Sequence, residues 1–129
     1  MTLIDTSGWI EFFRPGGDAS IKGRIKDLVL DGQAAFTCPV RYELILGARS
    51  HELEDLQVAL EISHRVSATF EHWDFAARLG ASLRAKGLNF PALDLLIASV
   101  ASMSQLSLLT TDRHFSEIRD QVLPDLILA

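Results

Sequence analysis

The chain has 129 residues, 48% of them hydrophobic and 22% charged, with 4 prolines and 8 glycines. That length suits one hydrophobic core, and that apolar content offsets the entropy of ordering, so neither several domains nor intrinsic disorder is expected. Lys and Arg number 12 against 17 Asp and Glu, a net charge of −5, which argues against broad electrostatic binding of nucleic acid but leaves room for an enzyme whose carboxylates hold cations.

In chain order, Thr2-Leu3-Ile4-Asp5 reads as a short buried strand. Thr6 or Ser7 then offers an N-cap for an apolar helix through Trp9, Ile10, Phe12 and Phe13. Ile21, Ile25, Leu28 and Val29 carry helical spacing up to the Asp31-Gly32 stop. Ala34-Ala35-Phe36-Thr37 is a second strand, Pro39 opens a helix to about Arg49, and helical spacing also suits Glu52 to Ile62. A strand is expected near Val66-Ser67-Ala68, then a longer helix from Glu71 to Lys86 that ends at Gly87. A helix from the neighbourhood of Asp94 through Gln105 precedes a buried strand at Leu106 to Thr110, a short helix after Asp112 and a last strand at Leu126 to Leu128. Strands alternating with helices predict an α/β fold, residues 1–129 forming one domain with a mainly parallel central sheet covered by helices on both faces.

Leu95 to Thr111 is the longest uncharged stretch, but Ser, Thr and Gln interrupt it short of the roughly 18 to 20 apolar residues of a membrane span. The N-terminus shows no secretory signal. A single cysteine, Cys38, makes no intrachain disulfide and suits a reducing cytoplasm.

Four carboxylates stand out: Asp5, Glu43, Asp94 and Asp112. Asp5 and Asp112 follow strands and precede helices, which in an open parallel sheet is the carboxyl edge where ligands bind. Glu43 shares a helical stripe with Val40, Leu44 and Gly47, and Asp94 shares one with Ile97, Ala98 and Ala101. A carboxylate on a core-facing stripe is costly to desolvate unless a cation or hydrogen-bond donors compensate it. Each has an ordinary use as well: the three aspartates suit helix caps, and Glu43 suits pairing with Arg41 or Arg49. As a set without neighbouring His or Cys ligands, the four oxygen donors suit Mg²⁺ or Mn²⁺.

Four blocks containing these acids resemble the PIN domain, and within it the VapC-like ribonuclease toxins of type II toxin–antitoxin systems. They are Leu3-Ile4-Asp5-Thr6-Ser7-Gly8-Trp9-Ile10, Pro39 to Ala48 around Glu43, Asp94 to Ala101, and Leu108-Leu109-Thr110-Thr111-Asp112-Arg113-His114-Phe115 with its T-x-D-x-x-F pattern. The resemblance spans essentially the whole chain. It implies metal-dependent endonucleolytic cleavage of RNA, with Asp5, Glu43, Asp94 and Asp112 as catalytic and metal-holding acids. It also implies inhibition by a cognate VapB-like antitoxin, with a helix in an apolar groove near the first helix, and a homodimer. Thr6, Ser7 and Thr110 are expected to orient ligands as supporting hydroxyls, with Thr6 and Ser7 also open to capping. Water as nucleophile leaves a 5′-phosphate and a 3′-hydroxyl.

The other candidates carry less. His51, His64, His72 and His114 form no paired ligand motif and are expected at the surface or in packing. Cys38 is expected to be buried filler. Lys22, Arg24 and Lys26 read as the solvated face of a helix, with RNA contact the alternative; Trp9, Phe12 and Phe13 read as core or dimer interface, with base stacking the alternative. No Walker A or G-x-G-x-x-G pattern is present. Two further readings stay open. A receiver-like phospho-signalling domain has similar size and architecture, but Asp5 stands alone after the first strand and the last lysine is Lys86. The other is a catalytically inactive module that binds an antitoxin.

Overall fold

The computed structural model describes residues 1–129. Four strands, β1 (Thr2–Ile4), β2 (Ala34–Thr37), β3 (His64–Val66) and β4 (Ser107–Leu109), form one sheet in the order β3-β2-β1-β4. Every pairing is parallel, and Leu3 stands level with Ala35 on one side and Leu108 on the other. The carboxyl ends of the strands therefore share one edge. Seven helices connect and cover them: α1 (Thr6–Phe13), α2 (Ala19–Leu30), α3 (Cys38–Gly47), α4 (Leu53–Glu61), α5 (Phe70–Ala85), α6 (Ala92–Met103) and α7 (His114–Val122). This order places β1 between β2 and β4, unlike the receiver arrangement, in which β1 separates β2 from β3.

Apolar runs without alternation give strands buried on both faces. All four residues of β2 are buried, as are Leu3 and Ile4 of β1 and Leu108 and Leu109 of β4. Around them Trp9, Ile25, Phe115 and Ile118 are fully enclosed, and 26 buried hydrophobic residues form one cluster. Helix α6 is buried continuously from Leu95 to Ala101, the pattern of a helix enclosed on nearly all sides. It lies along α5, where Gly80 allows close approach: a Cβ there would sit 3.2 Å from Leu95 Cδ1.

Several local expectations change. Asp5, rather than Thr6 or Ser7, caps α1, because its side chain reaches Gly8 N at 2.9 Å. The strand expected at Leu126 to Leu128 shrinks to a single parallel bridge, Leu108 to Leu128. Cys38 is exposed rather than buried, since it lies on the solvent side of the first turn of α3 while Pro39 and Val40 beside it are buried. Trp9 lies in the core with Phe13 stacked on it and Phe12 edge-on, although its indole N–H has no partner. Arg24 and Lys26 flank buried Ile25 on the solvated face of α2, whereas Lys22 is half-buried and donates its Nζ to Phe12 O at 3.3 Å. No helix is long and apolar enough to cross a membrane.

Candidate metal centre

Asp5 leaves β1 at the carboxyl edge, anchored by its backbone N–H to Leu109 O at 3.1 Å. Its side chain is 97% buried by the packing of β1, β4 and α1, with a relative exposure of 3%. Three donors hold it: Ser7 Oγ at 2.7 Å and Gly8 N at 2.9 Å on Oδ1, and Thr110 Oγ1 at 2.7 Å on Oδ2. Burial pushes its pKa above the ordinary carboxylate range against the pull of those donors, and the charge of Asp112 adds to the rise.

Thr110 continues from β4 and ties two acids together, because its hydroxyl also accepts the backbone N–H of Asp112 at 2.9 Å. Ser7 Oγ accepts Thr111 N at 2.9 Å, joining the turn after β1 to the turn after β4. Asp112 in turn accepts the backbone N–H of His114 at 2.9 Å. Part of its role is thus the local turn expected of an aspartate before a helix.

Asp94 lies in the first turn of α6, whose cap residue is Pro91; capping does not account for it. Burial is the main reason its pKa is raised, opposed by a hydrogen bond from His114, while the carboxylates of Asp112 and Glu43 push it further up. The charge of Asp112 thus acts on both Asp5 and Asp94, and that of Glu43 on Asp94, which sets the four acids within electrostatic reach of one another. Glu43 projects from α3 beside buried Val40 and Leu44 and accepts Thr6 Oγ1 at 2.7 Å. Neither Arg41 nor Arg49 pairs with it, and no Lys or Arg lies within 4.0 Å of any of the four carboxylates.

One group in the crevice was expected elsewhere. His114 Nδ1 is 2.9 Å from Asp94 Oδ2 and 3.5 Å from Asp112 Oδ1. The three residues offer ligand atoms that all lie within 4.8 Å of one another. The hydrogen bond to Asp94 raises the His114 pKa above the ordinary imidazole range. Its ring meets Phe90 edge to face, with centroids 5.5 Å apart. The other histidines follow expectation: His51 and His64 are exposed, and buried His72 serves the capping box of α5 with Thr69. His114 follows a strand-end aspartate by two residues and opens a helix, but its partner Asp94 lies twenty residues away and no sequence spacing links them.

The donor set fits a divalent cation. Four carboxylates in mutual repulsion, two of them raised by burial and none neutralised by Lys or Arg, are compensated most directly by a bound positive ion. Mostly oxygen donors at this density match Mg²⁺ or Mn²⁺ chemistry.

The model of the PIN domain matches residues 2–121. The chain belongs to the PIN-domain family. Solved structures repeat this PIN fold at low identity. A chain of Rickettsia felis VapBC2, solved on a promoter DNA fragment, has a TM-score of 0.79 at 21% identity, over 99% of this chain and 96% of that one. DNA-bound VapBC from Salmonella typhimurium gives 0.80 at 18%, over 100% and 98%. VapC20 of Mycobacterium tuberculosis, described as a sarcin-ricin-loop-cleaving toxin, gives 0.66 at 17%, over 91% and 94%. No relative was found among curated protein sequences. Membership of the PIN family, together with the strand order, removes the receiver-like alternative.

Proposed function

We propose that this PIN domain is a metal-dependent endoribonuclease, the toxin of a VapC-like toxin–antitoxin pair. The observation that carries the reading is the grouping of Asp94 and Asp112, with the charges of Asp5 and Glu43 in reach and no Lys or Arg paired with any of the four. The neighbours in VapBC complexes and the RNA-cleaving VapC20 support its direction.

A divalent cation, Mg²⁺ or Mn²⁺, held by these acids would act as Lewis acid toward the scissile phosphate and lower the pKa of an attacking water. The chain's own contribution is to hold the acids in position. Ser7 and Thr110 fix both oxygens of Asp5, Thr6 fixes Glu43, and the Thr110 hydroxyl and the His114 N–H orient Asp112. Water attack leaves a 5′-phosphate and a 3′-hydroxyl.

The partner in this reading is a VapB-like antitoxin. A groove of about 560 Å³ between α1, α3 and α4 is lined by Ile10, Phe13, Pro15, Leu44 and Leu56 and reaches Glu43. Its apolar walls suit an amphipathic helix, and its acidic end suits a basic side chain. Tyr42 and Leu46, one turn apart and exposed on α3, offer apolar surface for the homodimer. A cytoplasmic setting suits an RNA substrate and a chain with one unpaired cysteine, Cys38.

The test is cleavage of end-labelled RNA by the purified chain with Mg²⁺ or Mn²⁺, with EDTA, and by Asp5→Asn. The expected result is cleavage that EDTA abolishes and that the variant reduces by about 100-fold or more, since even groups behind metal ligands are worth about 10- to 100-fold. Absence of cleavage across total cellular RNA, by folded and metal-loaded protein, would leave the inactive antitoxin-binding module instead.

A further inference from the structure

We infer that His114 Nδ1 is itself a ligand of the cation, forming a mixed nitrogen and oxygen set with Asp94 and Asp112, and that the site therefore favours Mn²⁺ over Mg²⁺. The inference rests on the metal-dependent reading above and gives it a specific ion.

The spacing of the donor atoms carries it. Ligands bound at about 2.1 Å on adjacent corners of an octahedron are separated by roughly 3.0 Å. His114 Nδ1 lies 2.9 Å from Asp94 Oδ2 and 3.5 Å from Asp112 Oδ1, close to two such edges. Little movement of these side chains would bring all three donors onto one cation.

The imidazole is also held for this purpose. Phe90 packs edge to face on the His114 ring, while the His114 backbone N–H fixes Asp112 Oδ1 at 2.9 Å. One residue thus bonds to both aspartates, through its ring and through its main chain, as α7 begins. Nε2 makes no hydrogen bond within the chain, so it can carry the imidazole proton while Nδ1 exchanges its bond to Asp94 for the cation that both would share. Of the chain's 4 histidines, His114 alone joins an acidic ligand cluster.

Nitrogen changes the ion preference because Mg²⁺ is a hard ion that keeps oxygen ligands and water, whereas imidazole binds later first-row ions more readily. Removing His114 should therefore weaken Mn²⁺ binding more than Mg²⁺ binding.

The experiment is pulsed electron paramagnetic resonance of the full chain loaded with Mn²⁺, with titration calorimetry for Mn²⁺ and Mg²⁺. The expected result is a directly bound ¹⁴N coupling in the wild type that is lost in His114→Gln and kept in His51→Gln. His114→Gln should raise the Mn²⁺ dissociation constant about tenfold and change that for Mg²⁺ less. Should His114→Gln fail to fold, wild-type protein grown with ¹⁵N-histidine supplies the same assignment by exchanging the ¹⁴N pattern for that of ¹⁵N. Bound Mn²⁺ without nitrogen coupling would overturn the inference and leave the metal-dependent nuclease standing. Failure to bind Mn²⁺ at all would overturn both.

Discussion

Asp5 does two jobs with one carboxylate. It caps α1 through Gly8 N, and it brings a buried negative charge to the sheet edge. Those jobs separate in Asp5→Asn, whose amide oxygen still accepts Gly8 N while the buried charge is gone. Cleavage should fall about 100-fold or more, whereas the melting temperature of the metal-free protein should rise, as expected where a site holds charge at the expense of stability; calorimetric scans beside the cleavage assay check both. Thr110→Val removes a donor to Asp5 and an acceptor for Asp112 N together. The expected cost is about 10- to 100-fold in activity and about 1 to 3 kcal/mol in stability from the unpaired groups, measured by single-turnover cleavage and urea unfolding. At this scale the four acids were legible because strand ends and core-facing helix stripes mark them. His114 was not, since a lone histidine has no spacing partner in sequence, and its neighbours Asp94 and Phe90 come from the distant start of α6. Cys38 misled for the opposite reason: an apolar sequence context does not say which side of a helix's first turn meets solvent.

Elements hold these residues through close contacts at their ends. Gly8 in the first turn of α1 has no room for a side chain, because a Cβ would lie 2.9 Å from Ile4 Cγ2 and 3.1 Å from Leu109 Cδ2. Gly8→Ala therefore forces α1 away from the ends of β1 and β4, at an expected cost of about 1 to 3 kcal/mol. Because the same shift pulls at the Asp5 cap, weaker cation binding in titration calorimetry should accompany the loss seen in urea unfolding. Strand β2 and the helices α2 to α5 were legible to within a few residues, since their apolar spacing and their Pro or Gly punctuation coincide with the observed ends. The segment at Leu126 to Leu128 has the apolar content of a strand, but only Leu128 bridges to Leu108. Apolar content measures burial, and pairing depends on a neighbour that sequence does not display.

For the whole molecule, the crivice concentrates titrating groups of a protein whose net charge is −5. Asp5 and Asp94 have folded pKa values above their unfolded ones, so the folded state binds more protons and stability falls as pH rises through that interval, above about 4. His114 is also raised, so its stabilising contribution is complete below about 6.5 and is lost as pH rises through its folded value. Both act in the same sense. Metal-free protein should lose melting temperature between pH 5 and pH 8, and Asp94→Asn, which removes one raised carboxylate and the partner of His114, should flatten the slope in differential scanning calorimetry. Saturating Mn²⁺ should flatten it too. The α/β class and the parallel sheet were legible from alternating strand and helix patterns. The strand order was not, because it depends on which parallel strands meet across long connections.

Both borders of the sheet are closed to recruitment of another strand. On one side β3 is three residues long, with His64 and Arg65 facing solvent. A short, charged border is a poor template for a foreign backbone. On the other side β4 already gives Leu108 N to Ile127 O and receives Ala129 N on Leu108 O, each at 2.8 Å. Fibril-like stacking through the sheet therefore has no ready starting point, and the exposed apolar side chains Tyr42 and Leu46 lie on a helix away from both borders.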